Sequence, residues 1–86
     1  MTKVIKFYAS WCGPCKIYAK TFDKVSKELK DQFEFVEVNI EKDPEGLSKQ
    51  YDVTSIPTTV IIEGESIKKI TGRIDEKTLK QFIVGE

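Results

Sequence analysis

The spacing of apolar residues changes at Pro14, and that change restricts the folds open to this chain more than any other feature. From Lys3 to Ala9 the pattern alternates, with Val4, Lys6 and Tyr8 on one face and Ile5 and Phe7 on the other, as in a β-strand. Beyond Pro14, Cys15, Tyr18, Phe22, Val25 and Leu29 recur at steps of three and four, the stripe of an amphipathic helix reaching about Lys30. Pro14 suits the first turn of that helix, where its missing N–H is no loss. Phe33 to Ile40 alternates again, Phe33, Phe35 and Glu37 against Val36, Val38 and Ile40. Asp43-Pro44 opens a short helix with Asp43 as N-cap and Leu47 and Tyr51 one turn apart. Thr58 to Ile62 is a third strand, Gly64 a turn, and Ser66 to Thr71 a fourth strand. Asp75 caps a last helix that turns Leu79, Phe82 and Ile83 inward. The order is βαβαββα, an α/β chain with all of residues 1–86 in one domain.

Size and charge exclude several classes of function. A chain of 86 residues buries only about 60–65% of its unfolded surface, which leaves no room for a separate ligand-binding domain. Fourteen Lys and Arg balance fourteen Asp and Glu, so no nucleic-acid or anionic-membrane partner is indicated. The N-terminal apolar run carries Lys3 and Lys6 and is too short for a signal h-region or a spanning helix. The expectation is a soluble, cytoplasmic, monomeric protein.

Both cysteines of the chain fall in Trp11-Cys12-Gly13-Pro14-Cys15-Lys16. A disulfide staple closing so short a loop stabilises little, and a reducing cytosol opposes it. Zinc wants about four ligands, and the chain has two cysteines and no histidine, so no metal site is expected. A redox pair remains. Cys15 is in phase with the buried stripe, whereas Cys12 precedes the first helical turn, so one sulfur is expected exposed and the other shielded. Spacing of i, i+3 brings both to one side of the helix start, within bonding reach. A thiolate on Cys12 also gains about 0.3–1 kcal/mol from the helix N-terminus. Acidification alone helps little. A fall in pKa from ~8.5 to ~7 raises the thiolate fraction at pH 7 about fifteenfold, while nucleophilicity falls about fivefold. Proximity of a second thiol, which releases the mixed disulfide by intramolecular attack, matters more.

The six-residue motif resembles the active site of the thioredoxin family. Ser55-Ile56-Pro57-Thr58 resembles that family's cis-proline loop, and Gly72, fifteen residues beyond Pro57, matches its later glycine. The resemblance covers nearly the whole chain from Lys3 and implies a minimal thioredoxin-like fold, a four-stranded mixed sheet flanked by three helices, without the N-terminal strand and helix of longer members. It implies a thiol–disulfide oxidoreductase acting on protein disulfides, with Cys12 as nucleophile and Cys15 as resolving thiol. Substrate would dock on Trp11, Gly13, Pro14, Ile56, Pro57 and Gly72. The chain has no nicotinamide or flavin site and no cofactor is expected, so electrons would come from a separate reductase or a small thiol.

Some positions depart from the family pattern. Lys6 stands where a buried aspartate is usual, and Glu37 where bacterial members often carry lysine. Both are in phase with apolar residues, which suggests a charge-swapped pair in which Glu37 partly handles protons and Lys6 favours thiolate. The alternative is that both long side chains snorkel to solvent. Lys20 replaces a kinking proline, so a straighter helix is expected. Arg73, beside Gly72, would favour acidic partners or simply be solvated. Other functions fit parts of the sequence. Thr71-Gly72-Arg73-Ile74-Asp75 faintly resembles the glutathione-binding segment of glutaredoxins, although Asp75 already has a use as N-cap. A non-catalytic binding subunit or a cluster shared between subunits would not need the thiols as a redox pair.

Overall fold

The computed structural model describes residues 1–85. Its elements follow the expected order: β1 (Thr2–Tyr8), α1 (Gly13–Leu29), β2 (Phe33–Asn39), α2 (Leu47–Gln50), β3 (Thr58–Glu63), β4 (Ser66–Thr71) and α3 (Glu76–Val84). The strands form one mixed sheet in the order β2-β1-β3-β4. β1 pairs in parallel with β2, Lys6 opposite Glu37, and antiparallel with β3, Lys6 opposite Thr59. A tight turn at Gly64 returns β3 to β4 with Glu63 opposite Ser66. Gly64 holds φ at 59°, a left-handed conformation that glycine takes without steric penalty.

Alternation in β1 feeds a core on each face of the sheet. Val4 joins Tyr18, Phe22, Val25, Ile61, Leu79 and Ile83 under α1 and α3. Ile5 and Phe7 join Val38 and Val60 on the other face, beneath Leu47, Tyr51, Val53 and Ile56 from the α2 region. Phe82 is only half-buried at the margin of the first core. Tyr18 brings a hydroxyl into that core, and it is satisfied at 2.6 Å by the buried Thr59 hydroxyl. Burial pushes the Tyr18 phenol up to about 12, against a smaller opposing effect of this hydrogen bond.

The α2 region differs from the sequence expectation. The helix begins at Leu47 rather than after Asp43, with Gly46 as N-cap at φ 67°. Asp43 to Gly46 is a turn, closed by the Gly46 N–H donating to the Asp43 carbonyl at 3.0 Å. A left-handed Gly46 cannot continue a right-handed helix through residues 44–46. The Asp43 carboxylate still serves the helix start, because it accepts from the N–H groups of Leu47 (3.0 Å) and Ser48 (2.8 Å). At α3 the expected cap is present: Asp75 accepts from the Thr78 N–H at 2.8 Å. α1 runs its full 17 residues through Lys20 without interruption.

Candidate active site

The reactive segment bridges the end of β1 and the start of α1. Cys12 is the N-cap of α1, with extended φ −88° and ψ 112°, Gly13 is the first helical residue and Pro14 the second. Pro14 carries no N–H, so the next donor facing the cap is the N–H of Cys15. It donates to Cys12 Sγ at 3.2 Å. The sulfur thus takes the place usually held by a Ser or Asp oxygen. Sequence reasoning placed Cys12 before the helix but missed that its own sulfur is the cap. A cysteine two residues ahead of a first-turn proline was the available signal. The segment is tied back by the Cys12 N–H, which donates to the Ala9 carbonyl at 3.2 Å.

Cys12 and Cys15 are joined as a disulfide, with Cα atoms 5.2 Å apart. Cys12 is the more open residue, at 6% exposure against 2% for Cys15. The order matches the expectation, but the degree does not: Cys12 is buried rather than exposed. Ala9 and the partly buried Tyr8, Ile40 and Ile56 close around the oxidised pair. Gly13, next to Cys12, is exposed and has nothing beyond its chain neighbours within 4 Å of where a Cβ would stand. Pro14 is exposed beside it.

Trp11 is 66% exposed, so it lies at the surface and is not core filler. It and Ile56 line a cavity of about 440 Å³ together with Ile40, Ser48, Val53 and Ser55. The Ile56–Pro57 peptide is cis, as expected. The Pro57 ring is fully buried, so any part of this loop in docking falls to the cis peptide backbone rather than to the ring. Its carbonyl accepts the Gly72 N–H at 2.7 Å, one bond beyond the Thr58–Thr71 end of the β3–β4 ladder. Gly72 holds φ at 95° and is exposed, a conformation suited to glycine. Gly72 is thus tied to the Pro57 loop, while Arg73 lies exposed outside the cavity lining.

Lys6 and Glu37 are brought together. Lys6 is 2% exposed, and its Nζ lies 3.6 Å from Glu37 Oε1. The ammonium is 5.0 Å from the ring centroid of Tyr8 and 5.2 Å from that of Phe22. Snorkelling is therefore excluded for Lys6, whereas the Glu37 side chain is half exposed. Both residues line a cavity of about 180 Å³ that Cys15 also lines.

A family model for thioredoxin matches residues 1–85. The chain belongs to the thioredoxin family. It is 38% identical over 81 residues to the thioredoxin of Mycoplasmoides gallisepticum, a match covering 93% of this chain and 79% of that one. Thioredoxin of Griffithsia pacifica is 35% identical over 77 residues, covering 88% of this chain and 70% of the relative. In three dimensions the chain superposes on Fasciola hepatica thioredoxin with TM-score 0.85 at 30% identity, covering 98% of this chain and 79% of that one. For mitochondrial thioredoxin 3 of Saccharomyces cerevisiae, in its oxidised form, the TM-score is 0.84 at 31% identity, covering 99% and 78%. Thioredoxin family membership makes the Cys12-Gly13-Pro14-Cys15 pair the redox centre of a thiol–disulfide oxidoreductase that works by dithiol exchange. The glutaredoxin-like reading of Asp75 loses its support, since that carboxylate is engaged with the Thr78 N–H.

Proposed function

We propose that the chain reduces disulfides in other proteins, as a monomer in a reducing cytoplasm, with electrons supplied by a separate reductase or a small thiol. The observation that carries this reading is the Cys12 sulfur at the helix N-cap, bonded to Cys15 and next to the exposed Gly13. In the reduced chain, the Cys12 thiolate keeps the Cys15 N–H as its partner and gains from the helix dipole. It attacks one sulfur of the substrate disulfide, and the other substrate sulfur leaves with the electron pair and takes up a proton. Cys15 then attacks Cys12 Sγ, the bond to substrate breaks, and the second substrate sulfur is released as a thiol. Two electrons have passed from the cysteine pair to the substrate. The exposed Trp11 and the half-buried Ile56 flank the cavity beside the pair, and an extended substrate segment laid there would offer its backbone to the Ile56 edge.

Insulin reduction with a dithiol or a candidate reductase as donor tests the reading. Wild type is expected to precipitate the insulin chains faster than the donor alone. Cys12→Ser should be inactive, and Cys15→Ser should accumulate a mixed disulfide through Cys12. Efficient turnover of a glutathione mixed disulfide by Cys15→Ser, with no insulin reduction by wild type, would replace it with a glutaredoxin-type function.

A further inference from the structure

Among the described residues, Lys6 is the buried charged side chain of the core, the other buried polar residues being Thr58 and Thr59. Burying an ammonium is costly unless its charge is compensated. Its compensation here is partial. Glu37 Oε1 at 3.6 Å is beyond hydrogen-bond distance, and that side chain is 51% exposed to solvent, which weakens its field. The faces of Tyr8 and Phe22 add quadrupole attraction without adding negative charge. A positive excess therefore remains on the α1 side of β1.

Lys6 shares a cavity with Cys15. The cavity of about 180 Å³ is lined by Lys6, Tyr8, Ala9, Cys15, Lys16 and Glu37 among others. The charged and titratable groups around Cys15 are Lys6 and Tyr8 from β1, Glu37 from β2, Lys16 from α1 and Cys12 at the N-cap of that helix. Lys16 is exposed and screened by solvent. Ile40 and Ile56, which also pack on the pair, bring no charge. Of this group, the sulfurs alone change charge when the disulfide is reduced.

We propose that Lys6 is an electrostatic positioning residue for the Cys15 thiolate, and that Glu37 is the countercharge setting how strongly it acts. The inference rests on the dithiol-exchange reading and concerns its second step. Within the mixed disulfide, the Cys15 thiol loses its proton to solvent base at the cavity mouth. Its sulfur then bonds to Cys12 Sγ, and the electron pair of the broken bond leaves on the substrate sulfur, which is protonated. A fixed ammonium favours the thiolate that starts this step and offers nothing to the neutral disulfide that ends it. Glu37 opposes the same anion. The two residues therefore have effects of opposite sign, which damage to packing would not produce.

The test is the Cys15 titration, followed by ultraviolet thiolate absorbance in a Cys12→Ser background, with Lys6→Met and Glu37→Gln added separately. Lys6→Met is expected to make Cys15 about tenfold less acidic, a midpoint about one pH unit higher, and Glu37→Gln to make it more acidic. In the chain with both cysteines, measured above the thiol pKa, Lys6→Met should shift the glutathione equilibrium about tenfold toward the disulfide, about 30 mV more reducing. Glu37→Gln should shift it the other way. Glu37 is half exposed, so its variant keeps the test readable even where Lys6→Met does not fold. Shifts of the same sign in both variants, or a midpoint unmoved by either, would overturn the proposal. Those titrations are independent of insulin reduction by wild type, so failure of the function and failure of this inference are told apart.

Discussion

A sulfur at an N-cap accepts the same backbone N–H whichever atom the protein has chosen for redox work, so Cys12 has a structural duty that survives removal of its chemistry. Its 3.2 Å contact with the Cys15 N–H separates two variants that are equally inactive. Under reducing conditions Cys12→Ser keeps an oxygen at the cap, while Cys12→Ala leaves the donor to water. The alanine variant should be less stable than the serine variant by about 1 kcal/mol, read from urea midpoints at constant slope. Equal midpoints would mean that the sulfur is a bystander at the helix start. A second residue-scale contact can be measured in the core. Tyr18→Phe removes one partner of the 2.6 Å bond to Thr59 and leaves a buried hydroxyl unsatisfied, at a cost of about 1–3 kcal/mol. Adding Thr59→Val removes the orphan and should recover most of the loss. Additive losses in the double variant would show that the two hydroxyls are not coupled.

At the scale of elements, α1 and α3 are joined across their exposed faces by ion pairs. Lys24 reaches Glu76 at 2.9 Å, and Lys80 bridges Glu76 at 3.1 Å and Glu28. The hydrogen bonds from Lys24 and then Lys80 hold the Glu76 carboxyl below its usual range. The Ser48 N–H, foremost among several donors, lowers Asp43, and the Thr78 N–H lowers Asp75. All three carboxyls are easier to ionise folded than unfolded. Their contribution is present in full above the unfolded values near ~4, and it is lost as pH falls through the lowered folded values. Lys24 and Lys80 are raised, by Glu76 and by Glu28 respectively, so their contribution holds below the unfolded lysine value and is lost at still higher pH. Urea midpoints should therefore decline below about pH 4, and the decline should be shallower in Asp75→Asn and Glu76→Gln. Because these groups are exposed, added salt should shrink the Glu76 contribution more than the cap contribution of Asp75. A wild-type midpoint flat from pH 5 to 2 would contradict this assignment.

For the whole molecule, what could be read in advance was what depends on local period and local chemistry. Val4, Tyr18, Phe22, Val25 and Leu79 are buried where their spacing put them, and the strand and helix order holds throughout. The resemblance in Trp11 to Lys16 and in Ser55 to Thr58 located the redox pair and the cis peptide. Features set by non-local packing were not legible. The cluster of Ala9, Cys12 and Cys15 is packed by Ile40 and Ile56, which arrive from distant parts of the chain. The cis peptide before Pro57 was legible, but the burial of its ring and the bond from the Gly72 N–H to its carbonyl are set by the sheet. Asp43 was correctly marked as a capping residue, but Gly46 moved the helix start by adopting a left-handed backbone. Lys6 opposite Glu37 is a register effect of a parallel pairing between strands separated by α1, which spacing along the chain suggested and only the sheet could establish.

The central claim is that one end of α1 holds two thiols with unequal access and divided labour. Reducing the protein and treating it with limiting iodoacetamide near neutral pH, followed by peptide mapping, measures that inequality directly. Cys12, the N-cap residue and the more open of the two, should be labelled first and Cys15 only slowly. Equal labelling, or Cys15 labelled ahead of Cys12, would contradict the account.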